Sequence, residues 1–184
     1  MAKRPEQVIV EPYNEEWPLL YQELATKLRA SLGDAAVRID HIGSTSIAGL
    51  HAKPIIDIQI SVKELHRIET YKPMLEAAGF IHRHDNPDLT KRYFRESPGA
   101  RRTHIHVRED GSWSQQFALL FRDYLRAHPN DRDLYAKTKI ELAEMYRDDR
   151  PRYVDAKDPV IWEIMLKASK WSQRTGWKPD KDFM

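Results

Sequence analysis

DHIGSTSIAGLHAKPIIDIQISV, residues Asp40 to Val62, is the stretch that decides the fold. It reads as a strand end, a tight Gly43-Ser44 turn, a short helical piece and a second strand. Pro54 cannot donate to a sheet ladder, so the second strand begins at Ile55. Its alternation is clean: Ile56, Ile58, Ile60 and Val62 point one way, and Asp57, Gln59 and Ser61 the other. One face of this strand is core and the other is polar. A strand, a glycine turn and a helix start together converge backbone N–H groups where an anion can sit. Asp57 on the neighbouring strand is placed to hold the divalent cation that phosphate chemistry requires.

Upstream, Val8 to Val10 form an apolar run ended by Glu11-Pro12. A helix follows from about Trp17, with Pro18 in its first turn, Leu20, Leu24 and Leu28 as a buried stripe, and Gly33 as its end. Val37 to Ile42 reads as the first central strand. Downstream, Lys63 to Ala78 reads as a crossover helix closed by Gly79, followed by strands over Phe80 to His84, Lys91 to Glu96 and Arg102 to Arg108. Asp85-Asn86-Pro87-Asp88 and Ser97-Pro98-Gly99 are the turns between them. After Gly111 the pattern is helical: Trp113 to His128, Asn130 to Arg147 and Pro159 to Arg174. The expectation is a single α+β domain, with a mixed sheet core over about residues 8–110 and a C-terminal helical lobe over about 111–176.

The 184 residues suffice for one well-filled core, and 41% hydrophobic with 32% charged residues is a globular composition. A net charge of +2 argues against nonspecific wrapping of nucleic acid while leaving room for a local basic cleft. The absence of cysteine excludes disulfides, zinc fingers and thiol catalysis. The N-terminus lacks the apolar run of a signal peptide, and no stretch reaches the roughly 18 apolar residues of a membrane span. A soluble cytoplasmic protein is expected.

Two later strands extend the polar face that Asp57 and Gln59 begin. Ile105 and Val107 share one side of their strand, leaving Arg102, His104 and His106 on the other; Phe94 faces the core, leaving Tyr93 and Arg95 opposite. If these strands pair with the second one, one groove contains an acid, two histidines, a tyrosine and several cations. That lining suits a polyanion held through a metal ion and arginines. The plainer alternative is an antiparallel sheet whose polar face meets water.

The segment from His41 to Ile58 resembles the GrpB family of the nucleotidyltransferase superfamily, which shares a polymerase beta-like fold. Further matches are EPYNEEW near the start, HIHV at His104 to Val107, FRDYLR at Phe121 to Arg126, YAKTK at Tyr135 to Lys139, and Tyr153 with Lys157. They run from about Val8 to Trp171. The resemblance implies a nucleotidyltransferase-like sheet with a helical C-terminal part, and some relatives are fused to dephospho-CoA kinase, which ties the family to nucleotide metabolism. In the superfamily, Gly-Ser is followed by two carboxylates one residue apart and a third on a later strand. Gly43, Ser44 and Asp57 match; Gln59 stands at the second position, and the third-acid strand is the one bearing His104 and His106. Ala48 stands where proline is common in the turn.

Three readings remain open at this point. In the first, an enzyme binds a nucleoside triphosphate with Mg²⁺ or Mn²⁺ and transfers a nucleotidyl group to a small-molecule acceptor. Gly43 admits the phosphate, Ser44 and Thr45 supply N–H and hydroxyl donors, and Lys53 or Arg95 neutralises charge. Asp57 ligates the metal, with Gln59 offering only a neutral amide oxygen, and His104 or His106 is a further ligand or the base. Lys139 and Lys157 could reach the phosphates from the helical roof, although spacing alone favours a solvated helix face. In the second reading the missing acid marks a non-catalytic nucleotide-binding or regulatory module. In the third, His104 and His106 are simply a metal site, with Asp57 or His41 as the third ligand. No recognised nucleic-acid module surrounds Tyr93, Arg95, Arg101 and Arg102. Arg122 and Arg126 read as surface residues, and Trp113, Phe117, Phe121, Tyr124, Trp162 and Met165 as packing.

Overall fold

A computed structural model describes residues 7–180. The N-terminal residues read above as lacking a leader lie in part outside this range. Five strands form one mixed sheet: β1 (Arg38–Ile42), β2 (Ile56–Val62), β3 (Phe80–His82), β4 (Arg92–Glu96) and β5 (Thr103–Glu109). Their order is β1-β2-β5-β4-β3, with β2 and β5 parallel and the other neighbours antiparallel. The expected α+β architecture is thus present, with strand boundaries shifted by one or two residues from the pattern.

The apolar face of the sheet carries Ile56, Ile58, Ile60, Val62, Phe94, Ile105 and Val107, all buried beneath helix α1 (Glu16–Leu32) and helix α2 (Lys72–Ala77). In α1 the fully buried stripe is Trp17, Tyr21, Ala25, Leu28 and Leu32, whereas Leu20 and Leu24 sit on its shoulder, partly buried. The leucine pattern therefore located the helix but was turned off its true axis: the aromatic pair at i, i+4 takes the centre. The crossover is also shorter than expected. Only a 3₁₀ turn at Ile68–Thr70 and α2 are helical. Pro73 lacks the N–H and crowds the carbonyl four residues back, so a continuous helix cannot pass through it, and α2 starts there instead.

On the other side lies the helical lobe: α3 (Trp113–Ala127), α4 (Pro129–Met145), α5 (Arg150–Asp155) and α6 (Asp158–Thr175). α5 falls where the sequence was read as a separator. Asp149 caps it by accepting from the Arg152 backbone N–H, and Pro151 occupies its first turn. Leu120, Tyr124, Leu125, Tyr135, Ile164, Met165 and Ala168 pack with Ile47 and Leu50 into a second core between lobe and sheet. Trp113 and Trp162 do not join it as expected; they are 70% and 55% exposed and flank Phe117 from outside.

The lobe is tied to the sheet by charge as well as by packing. Arg122, read above as a surface residue, is 1% exposed. Its guanidinium donates to the His41 carbonyl at 3.0 Å, approaches Asp40 at 3.7 Å, and pairs with Asp123 at 2.7 Å. Asp40 is fully buried and also takes Arg38 in a fork at 2.5 and 2.6 Å. A heptad pattern sees Arg122 as polar, because the carboxylate it needs is 82 residues away in sequence and only the folded chain supplies it. Removing one member of such a buried pair strands the other without compensation. Arg122→Met is expected to cost about 3 kcal/mol of unfolding free energy, measured by urea denaturation; a loss below about 0.5 kcal/mol, the scale of an ordinary surface substitution, would show that the network is not structural.

Candidate functional site

The parallel register of β2 and β5 sets Asp57 beside His104 and Gln59 beside His106. The antiparallel register of β4 and β5 sets Arg95 beside His104 and Tyr93 beside His106. All six side chains leave the sheet on its polar face, as the alternation requires. They are not all in one site. Gln59 is fully buried beneath α3: its amide donates to the Gln115 carbonyl at 3.3 Å and accepts from Arg108 at 2.7 Å. The residue at the second acid position is therefore a pin between β2, β5 and α3, and the amide oxygen considered above as a metal ligand is already taken. Gln115 continues the seal by donating to Ser61 and to Asp110, both at 3.0 Å. α3 thus closes one half of the polar face and leaves the other half open.

The open half is a cavity of about 660 Å³. Its floor is Asp57, His104, His106, Tyr93 and Arg95; one wall is the Gly43-Ser44-Thr45 turn; the opposite wall is the β3–β4 loop with Asp85, Asn86 and Lys91. The roof brings Lys53, Tyr135, Lys139, Arg150, Tyr153 and Lys157.

Asp57 is the centre of the floor. One carboxylate oxygen lies 3.1 Å from His104 Nδ1 and 3.2 Å from His106 Nε2. Ligand atoms of the three residues lie within 4.8 Å of one another, so among the described residues this trio could hold a metal ion. His104 Nε2 and His106 Nδ1 are buried and make no hydrogen bond within the protein. Burial alone would raise the Asp57 carboxyl, but the hydrogen bonds from His104 and His106 outweigh it and hold the acid well below the ordinary carboxylate range. Burial pushes His106 down to about 4 despite the Asp57 carboxylate, so the ring is neutral at neutral pH. A carboxylate flanked by a neutral imidazole is in the protonation state that metal coordination needs.

The glycine of the turn is explained by the same acid. Gly43 has φ +70°, and a Cβ there would stand 2.7 Å from an Asp57 carboxylate oxygen. Beyond it a 3₁₀ turn, Ser44–Ser46, opens Ser44 to the cavity. Thr45 is different from what the sequence leads one to expect. Its hydroxyl is buried, donates to the Ile55 carbonyl at 3.1 Å and meets His41 Nε2 at 3.0 Å, so it braces the turn and offers the cavity no hydroxyl.

Lys139 and Lys157 overturn the solvated-face expectation. Lys139 is 2% exposed; its amine donates to Ser44 Oγ at 2.9 Å and to the His51 carbonyl. Lys157 lies 4.7 Å from the Tyr153 ring centroid, as Lys139 lies 4.8 Å from that of Tyr135. A Tyr-x-x-x-Lys spacing, Tyr135/Lys139 and Tyr153/Lys157, thus occurs twice, and that repeat was the available signal for the roof. Burial, then the charge of Lys157 and Lys53, lowers Lys139 to about 7; burial, then Lys53, lowers Lys157 to about 8. Lys53, Lys139, Arg150 and Lys157 have no carboxylate within ion-pair distance among the described residues. Arg95 does, pairing with Glu96 at 3.0 Å, and so brings less free charge than expected. Arg150 was not singled out from the sequence; the Asp149-Arg150-Pro151 helix start was the clue to its position.

Four cations of α3 and α4 grip the turn from behind by its carbonyl oxygens. Arg122 takes His41, Arg126 takes Ser46, Arg132 takes Ala48 and Lys139 takes His51. With these carbonyls held outward, the turn is fixed before any ligand arrives.

The family described as GrpB protein matches residues 7–167. The chain is 36% identical to "UPF0157 protein YqkA" of Bacillus subtilis over 93% of its own length and 49% of that protein's. It is 38% identical to "UPF0157 protein BH1888" of Halalkalibacterium halodurans over 85% of its length and 80% of that protein's. A protein named "Dephospho-CoA kinase" in Mycolicibacterium paratuberculosis is 33% identical over 97% of this chain and 50% of its own length. The chain therefore spans about half the length of the Bacillus and mycobacterial relatives. Among solved structures, conserved protein GrpB from Enterococcus faecalis superposes with a TM-score of 0.81 at 31% identity, covering 90% of this chain and 99% of that one. No helix among the described residues is long and apolar enough to cross a membrane.

Gly43→Ala is expected to displace Asp57 and to force a strained φ, destabilising the protein by about 1–2 kcal/mol and weakening Mn²⁺ binding in a fluorescence or calorimetric titration. Manganese affinity equal to that of the native chain would mean that the Asp57 carboxylate does not depend on the turn.

Proposed function

This chain belongs to the GrpB family, and we propose that its cavity binds a nucleoside triphosphate with a divalent cation and transfers the nucleotidyl group to a small-molecule acceptor. One observation carries this reading: Asp57 with two imidazoles stands on the floor of the same cavity whose roof holds Lys53, Lys139, Arg150 and Lys157, cations with no carboxylate of their own. Mutually repelling, partly dehydrated cations facing a potential metal site are matched by a ligand with several negative charges.

The roles follow from position. Gly43 lets phosphate approach the turn, the Ser44 hydroxyl and backbone N–H groups bind it, and Lys53, Arg95, Lys139 and Lys157 neutralise it, with Arg150 added to that set. Asp57, His104 and His106 hold the cation. One carboxylate with two nitrogen donors suits manganese, or another borderline ion, better than magnesium, which prefers an all-oxygen shell. Such an ion, when bound, lowers the charge on the reacting phosphate and orients it. An acceptor hydroxyl attacks the α-phosphorus, the bond to the pyrophosphate oxygen breaks, and His106, if not engaged with the ion, accepts the proton. The reaction draws on the cytoplasmic pool of triphosphates. The sealed Gln59 and the resulting single carboxylate favour, as a second reading, a module that binds nucleotide without turning it over.

Incubation with each triphosphate, Mn²⁺ or Mg²⁺ and a panel of hydroxyl acceptors, with pyrophosphate as the readout, tests the reaction. Release is expected with Mn²⁺, and Asp57→Asn is expected to lower it about 100-fold or more with the melting temperature retained. Tight binding without release on any acceptor supports the second reading, and no binding removes both.

Lys157 sets the pH dependence. An anion needs it protonated, and burial, then Lys53, brings it to about 8, far below the ordinary lysine value. Above that value the free protein holds a neutral amine there, so binding must take up a proton, and affinity falls as pH rises from 7 to 9. The expected loss is about tenfold, the scale of one charge-assisted hydrogen bond. Calorimetry at pH 8 in two buffers of different ionisation enthalpy measures the uptake; identical heats would contradict it.

A further inference from the structure

The contact between Ser44 and Lys139 has chemistry beyond anchoring a phosphate. Strand β1 ends at Ile42, and the positive φ of Gly43 then turns the chain sharply and presents Ser44 at the lip of the cavity. A nucleophile displayed on a tight turn after a strand is exposed to substrate while its backbone stays fixed. Lys139 Nζ lies 2.9 Å from the Ser44 hydroxyl. The amine is enclosed. It has the His51 carbonyl as its second partner, the Tyr135 ring beneath it, and Lys53 and Lys157 as charged neighbours, with Arg150 and Tyr153 further along the roof and Asp57 on the floor.

This arrangement accommodates either protonation state without moving an atom. As an ammonium, Lys139 donates to both Ser44 and the His51 carbonyl. As a neutral amine it still donates to the carbonyl, and its lone pair accepts from the Ser44 hydroxyl. Nothing in the surroundings holds the charge in place, since neither of its hydrogen-bond partners is a carboxylate. Burial and the neighbouring lysines bring its pKa to about 7, where both forms are populated. A lysine in that condition next to a serine hydroxyl is the base of a serine–lysine pair.

We propose that Ser44 is a nucleophile with Lys139 as its general base, and that Ser44 accepts a nucleotidyl group covalently when a triphosphate is bound and no acceptor hydroxyl is in place. This rests on the nucleotide reading above. Ser44 Oγ attacks the α-phosphorus; the new Ser44 O–P bond forms as the bond to the bridging oxygen of pyrophosphate breaks. The hydroxyl proton passes to Lys139 Nζ, and pyrophosphate leaves with the electron pair. The product is a nucleoside monophosphate ester of Ser44. Acceptor transfer and self-modification are then alternative fates of one bound triphosphate.

Two measurements on the full chain separate this inference from the reading beneath it. A neutral ethyl fluorophosphonate probe needs no nucleotide site: Ser44 Oγ displaces fluoride at phosphorus while Lys139 takes the proton. Labelling mapped to Ser44 by peptide mass spectrometry is expected to rise about tenfold between pH 6 and 8, to vanish in Ser44→Ala, and to fall at least tenfold in Lys139→Arg, which keeps the charge but cannot act as base. Intact-mass analysis after incubation with each triphosphate and Mn²⁺ is expected to show a nucleoside monophosphate adduct on Ser44. A protein that binds triphosphate by calorimetry yet acquires no adduct overturns the covalent step, as does an adduct that persists in Ser44→Ala. If no triphosphate binds, the nucleotide reading fails, and pH-dependent probe labelling of Ser44 still sustains the pair; absence of both removes the pair as well.

Discussion

Parallel pairing of β2 with β5 is the constraint on which the site depends. It places residues from positions 57 and 104–106, nearly fifty apart in sequence, within hydrogen-bonding distance of one another. Side chains alternate along both strands, so a slip of β5 by one residue would leave Asp57 on the polar face and turn His104 and His106 toward the core. The apolar side prevents that slip. Ile56, Ile58 and Ile60 on β2 and Ile105 and Val107 on β5 are essentially inaccessible to water, and a one-residue slip of either strand would turn its share of them out of that core. The hydrophobic core thereby specifies the polar cluster on the opposite surface of the same sheet.

The helical lobe then divides that polar surface in two. Where α3 lies over it, polar side chains pair with one another: Asp40 with Arg38 and Arg122, Gln59 with Arg108 and Gln115, Ser61 with Gln115. Where α4 and α5 arch away, cations are left facing an acid and two imidazoles across open space. Burying a charge without a partner is costly, and four such cations around one cavity would be an unexplained liability in a protein with no anionic ligand. Their depressed lysine pKa values express this cost directly, because the protein relieves part of it by shedding protons.

The Gly43-Ser44 turn joins these two halves. Its glycine is fitted against the Asp57 carboxylate, its serine is in contact with the roof through Lys139, and its carbonyls are held by side chains from α3 and α4. Such a turn couples the position of Asp57 to that of the roof cations with little slack, which is the preorganisation that the proposed binding of a polyanion requires.

Local pattern identified most of the elements and the faces of the central strands, though not α5 or the true extent of the crossover. The 2-residue period of Ile56 to Val62 identified the sheet strand and put Asp57 on its polar side, the spacing of His104 and His106 put them on one face, and the Gly-Ser motif gave the turn, because each of these is a local property of consecutive residues. Only the tertiary structure decided which polar residues share the cavity. Gln59 and Asp57 are equivalent in the pattern, yet one is sealed by α3 and the other is open. Lys139 and Arg122 read as surface charges, yet both are buried, because their burial depends on partners 95 and 81 residues away in the chain. Periodicity reports which side of an element faces inward; it carries no information on what another element places against that side.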